Sequence, residues 1–352
     1  MNRRGIELQF NWIFILIAGA VILAFFFSVV QKQRALSEEK LSITLATQMD
    51  AIFTGAIESK GTTQILATPQ PGIAFACTNV CDCFYRIGTK STEFRDKLLF
   101  APAFIKDEDA RAWSVEWKLP FRVANFLLLT NPRVIYYLVY DAGDQLSAQL
   151  YQRISKALPK EINMQAFSSL GAVSQLSPQG YAHTRFVFLG IDPVNPSTLG
   201  LSRAFADQEV SAVKIDPDLS SAIVYEKSDP EELSFNSYQT LLAGDATAYA
   251  AIFAADHQMY NCMMQRAFKE LGVVADVSAR RALALDSALS ARPECALYQP
   301  AHDVLNEVVQ KAGLLSTQFP QAEEALSTIK AVQPELQRQN NNLILQSCPE
   351  LY

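Results

Sequence analysis

The stretch NWIFILIAGAVILAFFFSVV occupies residues Asn11 to Val30 and contains no charged side chain. At 1.5 Å of rise per residue, about 20 residues of helix span roughly 30 Å, the thickness of the hydrocarbon core of a bilayer. A buried core helix of a soluble domain is seldom uncharged over such a length. The sequence therefore predicts a transmembrane helix, with the lipid bilayer as the partner of residues 11–30.

A cleavable signal peptide is the competing interpretation of this stretch. The apolar region of a signal peptide is about 7–15 residues long and ends in a small-x-small site. Here the run is longer and ends FFFSVVQKQR, which favours an uncleaved anchor. Arg3 and Arg4 precede the span and Lys32 and Arg34 follow it. The short N-terminal segment and its amino group favour a cytoplasmic leader over residues 1–10, with the C-terminal bulk outside a cell membrane that the chain crosses once.

The helical pattern continues beyond the membrane segment. Apolar residues recur at helical spacing, with polar residues between them, at Leu41, Leu45, Met49, Ile52, Phe53 and Ile57. Lys60-Gly61, followed by TPQPG, marks the end of the pattern. We expect an amphipathic helical stalk over residues 31–60, so that residues near 8 to 58 form one rod of roughly 75 Å.

The N-terminus resembles that of type IV pilin-like membrane proteins. It has a short basic leader, Arg3-Arg4-Gly5, a glutamate at Glu7, and an apolar helix that becomes amphipathic outside the membrane. The resemblance implies cleavage by a prepilin peptidase between Gly5 and Ile6, and self-assembly or binding of protein partners through the N-terminal helix. The pilin glutamate typically lies five residues after the cut, whereas Glu7 would be second. An ordinary membrane anchor with a basic flank is the alternative.

The remainder of the chain predicts an α/β fold in three parts. Residues 61–132 contain strand-like runs such as IAFA, WSVEWKL and NFLLL and form a mixed strand region with a cysteine cluster. Residues 133–233 begin with RVIYYLVYDAGD, continue with the helical QLSAQLYQRISKAL, and add the strand candidates INMQAF, TRFVFLG, VSAVKI and SAIVYE. We expect a Rossmann-like open α/β sheet there, in layer architecture only, because no nucleotide-binding glycine motif is present.

From residue 234 onward strand signals disappear, and the composition predicts an α-helical C-terminal region over residues 234–352. The alanine-rich stretch Ala246 to Ala255 is too short for a second membrane span, so we expect a buried helix. Breaks between helices are expected at the glycines and prolines of this region. These are Gly272, Pro293, Pro300, Gly313, Pro320 and Pro334.

Six cysteines raise the choice between a metal site and disulfides. Three lie in CTNVCDC, which has C-x3-C-x-C spacing and lacks the C-x2-C pairs of common zinc modules. Because disulfides persist outside the cytoplasm, we expect two or three of them, with a zinc site or unpaired thiols as alternatives. The candidates are Cys77, Cys81, Cys83, Cys262, Cys295 and Cys348.

The order of the cysteines limits how they can pair. Three precede the predicted α/β sheet and three follow it, so full pairing needs at least one long-range bridge. A local pair of Cys262 with Cys295 is expected among the later three. In the first cluster, either Cys77 pairs with Cys83, or Cys81 pairs with a distant partner.

The candidate catalytic residues are the aspartates that follow predicted strands, Asp141, Asp192 and Asp216. The carboxyl ends of parallel strands share one edge of a sheet, where clustered carboxylates could hold Mg²⁺ or Ca²⁺. The competing interpretation is turn chemistry, because aspartate side chains commonly bond nearby backbone groups in turns. No G-x-S-x-G motif occurs, and no histidine has a second ligand at metal spacing.

Two classes of function follow. The net charge of −6, with lysines and arginines scattered, predicts that nucleic acid is not a partner. With no cofactor motif or metal motif, we expect a membrane-anchored extracytoplasmic protein that acts in binding, surface display or pilin-like assembly, without catalysis. The alternative is a membrane-tethered, metal-dependent hydrolase that uses the strand-end aspartates.

Overall fold

A computed structural model describes residues 4–59, 61–94, 96–229 and 231–352. It begins with helix α1 (Arg4–Glu58), which is unbroken over 55 residues. The expectation of one continuous helix over residues near 8 to 58 is confirmed. The first three residues of the predicted leader, including Arg3, lie outside the described residues. Among the residues that are described, α1 is the one helix long and apolar enough to cross a membrane.

Two small sheets follow α1. The first sheet has the strand order β1-β7-β8-β5 and the second has the order β4-β3-β2-β6. Their strands are β1 (Thr63–Leu66), β2 (Ile73–Cys77), β3 (Cys83–Ile87), β4 (Lys90–Glu93), β5 (Leu99–Phe100), β6 (Phe104–Ile105), β7 (Ala110–Lys118) and β8 (Arg122–Thr130). The predicted strand runs IAFA and NFLLL lie in β2 and β8.

The third sheet, called the α/β sheet below, has six strands in the order β10-β9-β11-β12-β13-β14. They are β9 (Val134–Val139), β10 (Met164–Phe167), β11 (His183–Leu189), β12 (Val210–Ile215), β13 (Ser221–Lys227) and β14 (Phe235–Leu241). The first four in the sheet order run parallel, and β13 and β14 pair antiparallel. Helix α2 (Gln145–Ala157) connects β9 to β10, as predicted, and Asp144 caps its first turn.

The two faces of the α/β sheet are covered differently. One face packs against apolar residues of α2, such as Leu150 and Ile154, and against helix α3 (Asp245–Phe253). The other face is covered by loops and short 3₁₀ turns that contribute Val173 and Phe205. The α/β class is confirmed, whereas α-helices on both faces, as in a Rossmann-like arrangement, are not seen in the described part of the chain.

Strand β14 contradicts the expectation that strands end before residue 234. Its sequence FNSYQTL is polar, because it is an edge strand whose middle residues are exposed. All seven residues pair with β13. Backbone pairing with a neighbouring strand, which sequence patterns do not report, extends the sheet past the predicted boundary.

The C-terminal region is helical from α3 onward. It contains α4 (His257–Ala288), α5 (Tyr298–Gln318) and α6 (Glu323–Leu345). Eight residues of α3 are buried, which confirms a buried helix for the alanine-rich stretch. The expected breaks at Gly272, Gly313 and Pro334 are wrong, since all three lie inside helices. A Cβ at Gly272 would lie 3.7 Å from the Cβ of Ala312, an ordinary van der Waals distance, so this glycine lies where α4 packs against α5.

Candidate functional site

The N-terminal half of α1 presents a large apolar surface. No residue in its most apolar 18-residue window is buried. Trp12 is 68% exposed and Leu23 is 71% exposed. Soluble monomers rarely expose apolar patches of more than a few hundred Å², so a surface of this size indicates contact with lipid or with other helices.

The C-terminal half of α1 is built into the head, defined here as residues 61–352. A buried stripe runs along one side of the helix at spacings of three and four residues. It consists of Ser42, Ala46, Met49, Phe53 and Ala56. The Phe53 ring lies edge-on to Tyr85, with centroids 5.5 Å apart, and 6.2 Å from the ring of Phe75. We call the contact of this stripe with the first two sheets the stalk seam.

Hydrogen bonds to the helix backbone close the stalk seam. The Tyr85 hydroxyl donates to the Ala46 carbonyl at 2.7 Å. Ser114 Oγ and Asn125 Nδ2 both donate to the Ile57 carbonyl at 2.8 Å. Carbonyls in the last turn of a helix lack an intrahelical partner, so these two donors cap the end of α1. Burial, with the nearby Asp50 carboxylate, raises the pKa of Tyr85 to about 12 and keeps it a neutral donor.

An ion pair and a tight turn fix the stalk further. Lys97, which is 4% exposed, donates from Nζ to Asp50 Oδ1 on the helix at 2.9 Å. Gly88 has a φ of +56°, and a Cβ there would lie 2.6 Å from Ser42 Oγ. The turn after β3 therefore rests directly on the stalk at Ser42. Because Ser42 lies twelve residues beyond Val30, the head begins about 18 Å above the apolar run.

All six cysteines are paired in three disulfides. Cys77 pairs with Cys83, Cys81 with Cys262, and Cys295 with Cys348. The expectation of two or three disulfides and of one long-range bridge agrees with this pattern. The two alternative pairings expected for the first cluster, Cys77 with Cys83 and Cys81 with a distant partner, both occur. The expected Cys262–Cys295 pair is wrong, because α4 carries Cys262 to the strand cluster and Cys295 lies beyond the far end of that helix.

The structure separates the roles of the strand-end aspartates. Asp141 is exposed, and its Oδ1 accepts the Gly143 N–H at 2.8 Å, which is a turn hydrogen bond. Asp192 and Asp216 meet instead at Lys214, whose Nζ lies 2.6 Å and 3.5 Å from their Oδ1 atoms. Among the described residues no three potential metal ligands come together.

Lys214 takes the position that a cation would occupy between these carboxylates. Burial opposes its charge, but hydrogen bonds from its ammonium to Asp192 and Asp216, together with their negative charge, raise the pKa of Lys214 overall. A lysine of the same sheet thus pairs with both aspartates and balances one of their two negative charges. The sequence signal for this contact is the K-I-D order of residues 214–216, because residues two apart on a strand lie on one face.

A buried arginine was not identified by sequence reasoning. Arg185 is 2% exposed and donates from Nη2 to the Ala251 carbonyl at 2.9 Å and from Nη1 to Ser211 Oγ at 2.8 Å. A third, longer contact reaches the Ala255 carbonyl. Arg185 therefore binds carbonyls at the C-terminal end of α3, where a positive charge is favourable, and fixes α3 on the α/β sheet. Its partners lie 26 to 70 residues away in sequence, so no local pattern reveals them.

A histidine–glutamate pair joins the start of α4 to β13. His257 Nδ1 lies 2.8 Å from Glu226 Oε1, and its ring stacks on Tyr238. The hydrogen bond to Glu226 and its charge, with the charge of Asp256, raise the pKa of His257 against the opposing effect of burial. A group whose pKa is raised on folding stabilises the fold at pH values below its unfolded pKa, and this stabilisation is lost as pH rises through the folded pKa.

Replacing His257 with glutamine is therefore expected to lower the free energy of unfolding more at about pH 5.5 than at about pH 8. Urea denaturation of both proteins at each pH measures this difference. His302, which bonds the Ala279 carbonyl and Asn306 instead of a carboxylate, supplies the matched control, His302→Gln. An equal loss for His257→Gln at both pH values would contradict the assignment of a charged His257–Glu226 pair.

Comparison of this chain with protein-family models, with curated proteins and with solved structures found no match in any of the three.

Proposed function

We propose that this chain is a single-pass membrane protein that holds its head outside the cytoplasm and acts there by binding, display or assembly. One observation carries the proposal. The single helix α1 exposes its apolar N-terminal half and buries its C-terminal stripe in the head. The N-terminal half matches the thickness of a bilayer, and the C-terminal half has no freedom to detach without opening the core.

The stalk seam makes the anchor and the head one rigid unit. Phe53 and Met49 are core residues, and Ile57 is held by two side chains of the first sheet. A flexible linker would let the head turn relative to the membrane, whereas a continuous helix fixes both its height and its direction. Such an arrangement favours a protein that presents one defined surface.

The disulfides favour an extracytoplasmic head. Cytosolic thiols are kept reduced, and structural disulfides persist in oxidising compartments. Every cysteine of this chain is paired, including the pair that joins residues 181 positions apart. With the apolar helix before them, this pattern supports an N-terminus inside and a C-terminal bulk outside.

The pilin-like variant of the proposal has a specific observation in its favour. In a helix-based assembly, one helix supplies an apolar half for packing between subunits and a second half that belongs to the subunit core, and α1 has both. Mass spectrometry of the native protein tests this variant. A mature N-terminus at Ile6 supports it, and an intact leader that includes Gly5 rules it out.

Membrane extraction tests the anchor. Arginines at Ala20 and Leu23 are expected to release most of the protein into the soluble fraction at alkaline pH, because each costs about 2.5–3.5 kcal/mol in the middle of a span. The control places arginines at Leu41 and Gln48, exposed positions on the same helix beyond the apolar run. Both variants remaining in the membrane fraction, or both leaving it, would contradict the assignment of the span.

A further inference from the structure

A cavity of about 400 Å³ lies at the amino ends of β9, β11 and β12. The strand-end aspartates lie at the opposite, carboxyl ends of these strands. One wall is the sheet edge, with Val134 and Ala182, and the other is the segment Pro102–Asp107, which contains β6. The volume lies within the range of small-molecule sites, roughly 300–1,000 Å³, and the lining is mainly apolar.

A buried asparagine holds the two walls together. Asn131, which is 3% exposed, donates from Nδ2 to the Lys106 carbonyl on one wall at 3.1 Å. Its Oδ1 accepts the Arg133 N–H at the start of the other wall at 3.2 Å. Because both ends of one buried amide are used, the spacing between the walls is set by the fold. The cavity is therefore preformed.

Charges of both signs line each wall. Arg133 and Glu209 stand on the sheet wall, and Lys106 and Asp107 stand on the segment wall. Strand β11 lies between β9 and β12, so at about 4.8 Å per strand the backbones that carry Arg133 and Glu209 are about 10 Å apart. Within the described chain none of these four side chains forms an ion pair, unlike Lys214 or Lys97.

The cavity lining also includes a neutral histidine. His183 Nε2 lies 2.8 Å from Ser211 Oγ, which also accepts from Arg185 Nη1. Since an arginine only donates, the Ser211 hydroxyl is free to donate to Nε2, which leaves the ring proton on Nδ1. Burial, followed by the charge of Arg185, lowers the pKa of His183 to about 3. His183 is thus neutral, and Ser211 holds its Nε2.

From this lining we infer that the cavity binds a free α-amino acid in its zwitterionic form. Arg133 takes the carboxylate, Glu209 takes the ammonium group, and the apolar side chain of the ligand packs against Phe104, which is 50% exposed. A ligand with a single charge would lie beside two side chains that carry the same sign of charge as the ligand, and it would offer those two side chains no partner. A zwitterion meets both signs at once, with charge-assisted hydrogen bonds at each end. This binding site goes beyond the proposed function and does not depend on it.

Calorimetric titration of the full chain in detergent micelles tests the inference. The probes are phenylalanine and leucine, with phenethylamine and 3-phenylpropanoate as analogues of phenylalanine that keep the ring and one charge. We expect at least one of the two amino acids to bind. If phenylalanine binds, each analogue should bind at least about tenfold more weakly than phenylalanine does. If only leucine binds, neither analogue should give a signal. Arg133→Gln and Glu209→Gln should each weaken binding of the amino acid by about tenfold or more.

Matched controls separate the site from general charge effects. Arg203→Gln and Glu161→Gln remove the same charges at exposed positions away from the cavity and should leave binding unchanged. Unchanged thermal unfolding of all four variants shows that the fold is intact. Absence of binding up to about 10 mM amino acid, analogues that bind as well as phenylalanine, or binding unaffected by Arg133→Gln and Glu209→Gln would each overturn the inference.

Discussion

Replacing Phe53 with alanine is expected to lower the free energy of unfolding by about 3–5 kcal/mol, the usual cost of deleting a buried phenylalanine side chain. Phe53 is fully buried in the stalk seam, against the rings of Phe75 and Tyr85. The deletion removes the apolar surface that the ring buries and leaves a cavity at the place where helix and sheets meet. A loss of this size reaches the lower end of the stability of a typical domain.

Urea denaturation of the full chain in mild detergent, followed by the fluorescence of the buried Trp113 and Trp117, measures this effect. Leu41→Ala is the matched control, because Leu41 lies on the same helix but is 57% exposed. We expect its effect to stay within about 0.5 kcal/mol. Equal losses in the two variants, or a small loss for Phe53→Ala, would show that the stalk is not part of the core.

Removing the Cys81–Cys262 disulfide by a double alanine substitution is expected to cost about 5 kcal/mol. The bridge joins residues 181 positions apart, and in the chain-entropy model the stabilisation grows with the logarithm of the closed loop. It also holds α4 against the second sheet, where Arg266 donates to the carbonyls of Cys81 and Phe94.

The Cys77–Cys83 bridge provides the comparison within the same cluster. It joins paired residues of two adjacent strands and spans a sequence separation of only 6. The same model gives about 2 kcal/mol for its removal. Denaturation of the two double-alanine variants under oxidising conditions measures both losses. If removal of the short bridge costs as much as removal of the long one, the long-range pairing is wrong.

The parts of the fold that the sequence predicts are those with a strong local period. The strand runs of β9, β11, β12 and β13 and the helix α2 lie where apolar patterns place them, since burial dictates those patterns. The membrane-length helix follows from composition alone. Strand β14 escapes prediction because an exposed edge strand needs only backbone pairing.

The candidate sites depend on contacts that are distant in sequence, and these are harder to predict. The pairing of Cys262 with Cys81 depends on where α4 lies, which no spacing encodes. The aspartates at the strand ends are visible in the sequence. Only the structure shows that two of them, Asp192 and Asp216, form ion pairs with Lys214. The cavity with Arg133 and Glu209 brings together residues from separate strands and a separate loop segment, so it is visible only in three dimensions.

Labelling of cysteines in intact cells is the most direct test of the anchored, outward-facing arrangement. The reagent is a maleimide that cannot cross the membrane, applied with and without an impermeant reductant. All six cysteines are paired, and we propose that the head lies outside, so we predict labelling only after reduction, without lysis. Labelling that appears without reduction, and only once the cells are opened, would contradict both the location of the head and its disulfides.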